Sequence, residues 1–311
     1  MNKIRIGTRG SELALKQAAM VQAALEQTDA GIEAEIVVIH TRGDKVIDKP
    51  LAEIGDKGVF VSEFEQALLA GDIDLAVHSA KDLPMILAKG LIIAAVLPRG
   101  DVRDVLVIPK GGRMPQPVRE SEQAFRIGSG SRRRQQQAVR LWENVVCADI
   151  RGNVDTRLRR LQEGGCAERK YDGIILAKAG LDRLEIMSRY EEEFTFSMLD
   201  PEQFLPAACQ GIIAVETVQG SDAFKLCRKI TDGDTEFCFQ VEREALRQLS
   251  ADCNEAAAAW CRWEAGELVL DVMYAERRQR LVYKADASAR LCKGLQMARE
   301  AARSVKGQEC I

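Results

Sequence analysis

Two loops rich in glycine, serine and arginine are the first places in this sequence where chemistry is expected. One contains Arg9 and Ser11, and the other contains Ser129, Ser131 and three consecutive arginines at 132–134. Each loop follows a short apolar run and precedes a segment with the apolar spacing of a helix. Because a helix N-terminus presents free N–H groups and the positive end of its dipole, both loops are suited to binding an anion.

Arginine is concentrated between residues 126 and 160, where nine arginines occur with no lysine and three acidic residues. Arg151 and Arg157 belong to this group and follow another apolar run. A guanidinium binds carboxylate or phosphate through paired hydrogen bonds, whereas an ammonium acts as a point charge. A solvated basic helix face is the alternative interpretation. Ligands of open α/β sheets bind where parallel strands end, which favours an anion-binding cleft between two domains.

Lys81 and Asp82 follow directly on a strand pattern over 73–78. A carboxylate at the end of a strand can act as a general acid–base or stabilise a cation. The alternative is a turn before Pro84 in which Asp82 accepts hydrogen bonds from the backbone. The spacing of these residues does not choose between the two interpretations.

Cysteine is the remaining candidate nucleophile. The chain has nine irregularly spaced cysteines without a C-x-x-C pair, and only two histidines. This inventory excludes a His-rich metal site and argues against a disulfide framework, so we expect no metal. Cys253 follows a long helical pattern and is predicted to lie in a loop, where a thiolate is accessible as a nucleophile. The alternative is an inert, small apolar residue, which is what we expect of most of the others.

Length and charge limit the class of protein. A single core rarely exceeds roughly 250–300 residues, so a chain of 311 residues is expected to form two or three domains. Lys and Arg total 44 and Asp and Glu total 47, giving a net charge of −3, which argues against general nucleic-acid binding. Without a long apolar run or a signal-peptide core, we expect a cytoplasmic protein that does not contact membranes.

Strand and helix patterns alternate over the first part of the chain, which is typical of an α/β fold with a mostly parallel sheet. The pattern then repeats. Arg5-Ile6-Gly7-Thr8 corresponds to Arg126-Ile127-Gly128-Ser129, and Thr41-Arg42-Gly43-Asp44 corresponds to Ile150-Arg151-Gly152-Asn153. Each half then has a strand with a short lead, from Asp72 in one and from Tyr171 in the other. Because the order of these features matches, we expect two α/β domains of related design, with chance as the alternative.

The rest of the chain has a different pattern. A strand over 211–217 is suited to return to the first domain as an added strand, and helices and short strands after 222 predict an α+β domain. Within the helix predicted over 60–70, Ser62 and Glu65 have the spacing of a capping box. The predicted domains are 1–98 with 200–219, then 99–199, and finally 220–311.

Eight short motifs, in a fixed order, resemble those of the porphobilinogen deaminase family, also called hydroxymethylbilane synthases. They are Thr8-Arg9-x-Ser11-x-Leu13-Ala14, Thr41-Arg42-Gly43-Asp44, Lys57-Gly58-x-Phe60, His78-Ser79-x-Lys81-Asp82-x-Pro84, Arg133-Arg134-Gln135, Arg151-Gly152-Asn153-x-x-Thr156-Arg157, Leu205-Pro206-Ala207-x-x-Gln210-Gly211, and Glu242-Arg243 before Cys253. The motifs cover residues 3 to about 255, and the remainder matches by general pattern.

The resemblance implies a fold and a reaction. The implied fold has two similar doubly wound α/β domains, of the type II periplasmic-binding-protein architecture, flanking a cleft beside a small α+β C-terminal domain. It also implies a dipyrromethane cofactor, joined to Cys253 by a thioether. The implied enzyme condenses four porphobilinogen molecules head to tail on this primer, releases ammonia each time and frees hydroxymethylbilane by hydrolysis. The expected partner is this small-molecule substrate, and we expect a monomer.

The resemblance also assigns residues to roles. Asp82 matches the catalytic carboxylate, with Lys81 beside it, and would stabilise the azafulvene cation that forms when ammonia leaves. The positions that match cofactor- and substrate-binding residues are Arg9, Ser11, Phe60, Ser79, Lys81, Ser129, Ser131, Arg133, Arg134, Arg151, Gly152, Arg157, Arg183 and Gln210.

The sequence departs from the family pattern in a few places. The segment after Cys253 lacks the usual C-x-x-P-[IL]-G pattern, and Cys209 stands where glycine is common. Two other classes of protein are alternatives to the deaminase. One is a two-domain anion-binding protein without catalysis, which would need neither Cys253 nor Asp82. The other is a nucleic-acid module using the arginines of 126–160, which the net charge disfavours.

Overall fold

The computed structural model describes residues 3–28, 31–40, 62–116, 123–163, 171–251, 255–284 and 290–307. Contacts divide the chain into two compact units. The first comprises residues 1–100 with 209–240, and the second comprises residues 101–208 with 241–311. The boundaries of the three domains expected from the sequence stay a prediction.

The strands are β1 (Lys3–Thr8), β2 (Glu33–Val38), β3 (Leu75–Ser79), β4 (Leu91–Val96), β5 (Asp104–Pro109), β6 (Phe125–Gly128), β7 (Val145–Ala148), β8 (Gly173–Ala177), β9 (Phe194–Met198), β10 (Ile213–Val218), β11 (Ala257–Glu264), β12 (Glu267–Tyr274) and β13 (Arg277–Lys284). The α-helices are α1 (Glu12–Thr28), α2 (Ser62–Ala70), α3 (Arg132–Leu141), α4 (Val154–Gln162), α5 (Lys178–Arg183), α6 (Ile186–Arg189), α7 (Asp222–Cys227), α8 (Gly233–Leu249) and α9 (Arg290–Lys306).

The first unit contains a five-stranded sheet in the order β2-β1-β3-β10-β4. Strand β1 is parallel to β2 and β3, whereas β10 is antiparallel to both of its neighbours. The segment 211–217 therefore supplies a strand to the first sheet, as its apolar pattern suggested. Ile4, Ile6 and Leu75 are fully buried in this sheet and share one core with Val21 and Leu25 of α1, so the apolar stripe of the helix covers the sheet.

The second unit contains a sheet in the order β7-β6-β8-β5-β9. Here β6 is parallel to β7 and β8, and β5 is antiparallel to β8 and β9. In both sheets three parallel strands are followed by one reversed strand and then by an edge strand. This shared topology confirms two α/β halves of related design. Leu106, Ile127 and Ile175 lie in the core of the second half with Phe204.

The second unit also contains a three-stranded antiparallel sheet in the order β11-β12-β13. Ala258 and Met273 of this sheet pack against the fully buried Leu205. On β12, the buried Asp271 accepts hydrogen bonds from Arg262 at 2.8 Å and Arg278 at 2.8 Å. Burial alone would raise the pKa of Asp271, but the neighbouring arginines outweigh burial and lower it.

Some local features differ from the sequence predictions. Strand β9 was missed, although Phe194-Thr195-Phe196-Ser197-Met198 has the period of two that marks a half-buried strand. The short helix α5 was also missed. The Glu65 carboxylate accepts a hydrogen bond from the Ala88 N–H at 2.8 Å, a partner far along the chain that the capping-box spacing did not suggest. Within the described ranges, no helix is long and apolar enough to cross a bilayer.

Candidate functional site

Two of the predicted loops lie at one edge of the first sheet, because β1 and β3 are parallel neighbours. After β1, the hydroxyl of Ser11 accepts a hydrogen bond from the Ala14 N–H at 3.4 Å and so caps the first turn of α1. The buried Thr8 hydroxyl donates to the Ala14 carbonyl at 3.1 Å. These bonds hold the loop that carries the half-buried Arg9 at the N-terminus of α1, where an anion is favoured.

Strand β3 ends in side chains that are tied to their neighbours. The Gln17 amide on α1 donates to the Ser79 hydroxyl at 2.9 Å. Nε2 of His78 lies 2.9 Å from a carboxylate oxygen of the buried Glu216 on β10, and the His78 ring meets Phe64 edge to face, with centroids 5.3 Å apart. The end of β3 is therefore held by contacts to helix α1 and to β10, its neighbour in the sheet.

Asp82 closes a 3-10 turn, Ala80–Asp82, directly after β3. The Ala80 N–H donates to the Ile212 carbonyl at 3.0 Å, and the Leu83 N–H donates to the Ala80 carbonyl at 3.3 Å. Backbone groups thus close this turn. The Asp82 side chain is exposed and makes no hydrogen bond within the described part of the chain. The turn-capping interpretation of Asp82 therefore has no support, and the carboxylate is available to a ligand. Lys81 beside it is half-buried.

The segment around Gln210 packs within the first unit. Nε of Arg99 donates to the Gln210 carbonyl at 2.9 Å, and the Gly100 N–H donates to the Gly211 carbonyl at 3.1 Å. The Gln210 side chain is fully buried. Cys209 has a φ of 60°, in the left-handed region that glycine adopts without strain. This backbone conformation fits the expectation from the family resemblance that glycine would stand at this position.

The second sheet brings another set of loops to one edge, since β6, β7 and β8 are parallel. The Ser129 N–H donates to the Ala148 carbonyl at 2.9 Å, and the Ser129 hydroxyl accepts from the Ser131 N–H at 3.2 Å. Ser131 is the N-cap of α3, but its hydroxyl makes no capping bond. The Ser131 hydroxyl and the N-terminus of a ten-residue helix therefore face a common edge, which is a suitable place for a carboxylate.

Arg133 and Arg134 are buried and share one carboxylate, that of the fully buried Asp104. Nη2 of Arg133 lies 2.8 Å from one Asp104 oxygen, and Nη2 of Arg134 lies 2.7 Å from the other. Burial alone would raise the pKa of Asp104, but the two guanidiniums outweigh burial and lower it to about 2. Both arginines also donate to backbone carbonyls, at Leu205 and Ile175. Direct binding of ligand carboxylates by this pair stays a prediction.

The loop after β7 carries the other two predicted arginines. Its Gly152 has a φ of 101°, and a Cβ there would lie 2.7 Å from the Thr156 side chain. The Asn153 side chain accepts from the Thr156 N–H at 2.9 Å and caps α4. Nε of Arg157 donates to the Gly152 carbonyl at 2.8 Å. Arg151 and Arg157 are both half-buried, so these two guanidiniums border the edge of the sheet without being enclosed by it.

The remaining predicted residues are less informative. Arg183 ends α5 and is half-buried; burial lowers its pKa, and Asp182 opposes that effect. Phe60 and Cys253 lie outside the described residues. Of the cysteines within them, Cys227 and Cys147 have thiol pKa values raised by burial, to about 12 and about 11. These two thiols are poor nucleophiles because the reactive species is the thiolate.

Sequence reasoning missed two residues that organise this edge. Asp104 begins an apolar strand, and a charged residue entering a buried run signals a buried partner. The Gln135 amide nitrogen donates to the Ser129 carbonyl at 2.5 Å and to the Asp149 carboxylate at 3.0 Å. Gln135 therefore joins the loop after β6 to the loop after β7. No local signal marks this role, since the partners are set by the register of neighbouring strands.

The fold and the site define a class of protein in which two α/β sheets each present serine, arginine and helix N-termini at the ends of parallel strands, as suits binding of an oligoanion. Residues 4–225 match the family model described as "Porphobilinogen deaminase, dipyromethane cofactor binding domain". The chain belongs to the porphobilinogen deaminase family, and it contains that cofactor-binding domain.

Curated relatives agree with this assignment. The porphobilinogen deaminase of Syntrophobacter fumaroxidans is 42% identical over 88% of this chain and 84% of its own length. That of Xanthomonas oryzae pv. oryzae is 41% identical over 92% of this chain and 90% of its own length. Among solved structures, the periplasmic VFT2 domain of Bordetella pertussis BvgS is 15% identical, with a TM-score of 0.43, over 74% of this chain and 86% of its own.

Proposed function

We propose that this protein is a transferase that joins four porphobilinogen molecules head to tail, releasing ammonia at each step and finally hydroxymethylbilane. The observation that carries the proposal is the exposed Asp82 carboxylate at the end of β3, next to the anion-binding loop of Arg9 and Ser11. A protein that only binds anions has no need of an unpaired carboxylate beside its cations, because the carboxylate repels the ligand.

The residues at the edge of the second sheet fit a dipyrromethane, whose pyrrole rings carry carboxylate side chains. Ser131, Arg151 and Arg157 would bind those carboxylates, since guanidinium groups and helix N-termini are the donors that carboxylates prefer. When bound, the dipyrromethane supplies the free pyrrole carbon to which the first substrate is joined. We propose Cys253 as its point of attachment.

Asp82 and Lys81 have distinct parts in the reaction. The substrate amino group leaves from its protonated, ammonium form: the bond between the methylene carbon and this nitrogen breaks, ammonia leaves with the bonding electron pair, and the positive charge passes to the substrate pyrrole. Asp82 stabilises this cation and holds a proton at the pyrrole nitrogen. Lys81 binds a substrate carboxylate. The methylene carbon then forms a bond with a free pyrrole carbon, and that carbon loses its proton to the Asp82 carboxylate.

The intact mass of the purified protein, taken together with Cys253→Ser, tests this proposal. The unmodified chain should carry the mass of a dipyrromethane, and Cys253→Ser should fold without the adduct and without bilane synthesis. Cys227→Ser is the control, because a buried thiol should not affect the adduct. Normal bilane synthesis by Cys253→Ser would refute the attachment. Tight binding of oligocarboxylates without any bilane synthesis would favour the non-catalytic protein.

A cytoplasmic location and a monomeric state belong to the same proposal. Cell fractionation and light scattering of the purified protein test them directly.

A further inference from the structure

A buried glutamine holds one residue of a loop by both of its backbone groups. The Gln137 side chain on α3 accepts from the Leu205 N–H at 2.6 Å and donates to the Leu205 carbonyl at 3.0 Å. The same carbonyl accepts a second hydrogen bond from Arg133 at 2.6 Å. Gln137 and Arg133 are both buried. Three hydrogen bonds between buried groups therefore fix a single loop residue to helix α3.

The side chain of Leu205 extends this attachment to the third sheet. It is fully buried and packs against Ala258 of β11 and Met273 of β12. Strand β11 begins at Ala257, four residues after Cys253 in the sequence. A polar contact also joins the same loop to this sheet: Arg280 on β13 lies 3.3 Å from the Glu202 carboxylate. The loop 202–205 therefore lies between helix α3 and the sheet that follows Cys253.

We propose that Gln137 is a positioning residue that fixes the third sheet, including the first residues of β11, relative to helix α3. The N-terminus of α3 is where Ser131 presents its hydroxyl at the edge of the second sheet. Gln137 thus connects the predicted anion-binding loop to the strand that begins four residues after the proposed attachment residue in the sequence. That the placement of the third sheet relative to α3 matters for catalysis rests on the proposed function. The contacts that join Gln137, Leu205 and the third sheet do not depend on it.

A two-point contact specifies position more strictly than apolar packing does. The packing of Leu205 against Ala258 and Met273 sets its position less strictly, because the hydrophobic effect has no direction. The paired hydrogen bonds from Gln137 allow one register only, as they do in a sheet. Removing them leaves the Leu205 N–H buried without its acceptor, which favours a shifted loop.

The test compares Gln137→Met with Gln136→Met. Methionine matches glutamine in length but neither accepts nor donates strongly, and Gln136 makes no side-chain hydrogen bond within the described residues. Hydrogen exchange is measured on the full chain, both as purified and in a Cys253→Ser background. In Gln137→Met, exchange should accelerate about tenfold at Leu205 and over 257–261, as expected from loss of two hydrogen bonds. Gln136→Met should leave exchange unchanged.

Steady-state kinetics separate positioning from plain loss of stability. For Gln137→Met we expect kcat to fall about tenfold, with KM changing less than about twofold at a temperature where the melt shows a folded protein. Gln137→Glu gives an independent reading. At neutral pH the ionised glutamate places an oxygen where the Gln137 amide nitrogen stood, and this oxygen repels the Leu205 carbonyl. At low pH the protonated carboxyl can donate a hydrogen bond to that carbonyl, as the amide does. Its exchange over 257–261 should therefore return towards that of the unmodified chain as pH falls.

Several outcomes would overturn the inference. Faster exchange at Leu205 with unchanged exchange over 257–261 would confine the role of Gln137 to its own loop. If Gln137→Met does not fold, Gln137→Glu decides the matter: a ratio of its exchange rate over 257–261 to that of the unmodified chain at the same pH that stays constant as pH falls would also overturn the inference. Faster exchange over 257–261 in a protein that carries no adduct and makes no bilane would refute the proposed function and leave the connection intact.

Discussion

Oδ1 of Asp104 accepts two hydrogen bonds from Arg134, from Nε at 3.1 Å and from Nη2 at 2.7 Å, and the other carboxylate oxygen pairs with Arg133. One buried carboxylate thus balances two buried guanidiniums at the edge where β5 meets β8. The pair leaves an excess positive charge close to the N-terminus of α3. Part of the positive charge near the predicted anion site is therefore held inside the unit, and we expect it to act on a ligand through its electric field.

The variant Asp104→Asn should be strongly destabilised. It leaves two buried guanidiniums without a counter-charge, and breaking one partner of a buried pair costs about 3–5 kcal/mol. Urea denaturation measures the change in the free energy of unfolding. Asp222→Asn is the control, because its pair with Lys225 is exposed and should matter by less than about 1 kcal/mol. Equal effects of the two substitutions would contradict the role assigned to Asp104.

Asp104 also predicts a loss of stability in acid. Its pKa in the folded protein is about 2, below the ordinary value of 3.8, so the unfolded chain binds this proton more readily. The stabilisation is complete above about pH 4 and is lost as pH falls towards about 2, by roughly 2 kcal/mol for this group. Denaturation curves between these pH values should show a steeper loss in the unmodified chain than in Asp104→Asn.

Asp82→Asn should reduce turnover without affecting the fold. The substitution keeps the size of the side chain and removes the charge that stabilises the substrate cation, which typically costs roughly 10²- to 10³-fold in kcat. The melting temperature should be unchanged, because the exposed carboxylate makes no hydrogen bond within the described residues. Rates of bilane formation and thermal melts of one sample check both expectations. Near-normal turnover would remove Asp82 from the mechanism, whereas a collapsed melt would restore the turn-capping interpretation.

Arg151→Lys and Arg157→Lys should weaken substrate binding although the charge is kept. Lysine cannot form two parallel hydrogen bonds with a carboxylate, and at Arg157 it also loses the donor to the Gly152 carbonyl. We expect KM to rise about tenfold in each variant, in line with the loss of one charge-assisted hydrogen bond. Arg159→Lys, on the exposed side of α4, is the matched control. Full activity in both variants would mean that these arginines form only a solvated face.

Gly152→Ala should destabilise the loop between β7 and α4. The backbone there has a φ of 101°, and the new Cβ would lie 2.7 Å from the Thr156 side chain. Gly220→Ala separates the two causes, because Gly220 has a φ of 75° with no atom within 4 Å of its Cβ position. Strain from a positive φ costs about 1–3 kcal/mol and affects both variants. Gly152→Ala adds the clash with Thr156, so it should lower the melting temperature more than Gly220→Ala does. The reverse order would mean that Thr156 moves aside freely.

The sequence by itself determined the elements, the repeat and the family. Apolar periodicity placed most strands and helices because it reports which face of an element is buried, although it did not identify β9 or the short helix α5. The repeat of Arg5-Ile6-Gly7 as Arg126-Ile127-Gly128 predicted two sheets of one design, because identical local patterns fold alike. The order of eight motifs identified the family.

Only the tertiary structure decided what each charged side chain does. Arg132, Arg133 and Arg134 are equivalent in sequence, yet Arg132 is exposed and the other two are buried. Successive helical residues point in directions about 100° apart, and the partner Asp104 comes from a strand 29 residues earlier. The sequence likewise could not predict the exposure of Asp82 or the two hydrogen bonds between Gln137 and the Leu205 backbone. The partner of a polar group depends on long-range packing, which no local pattern records.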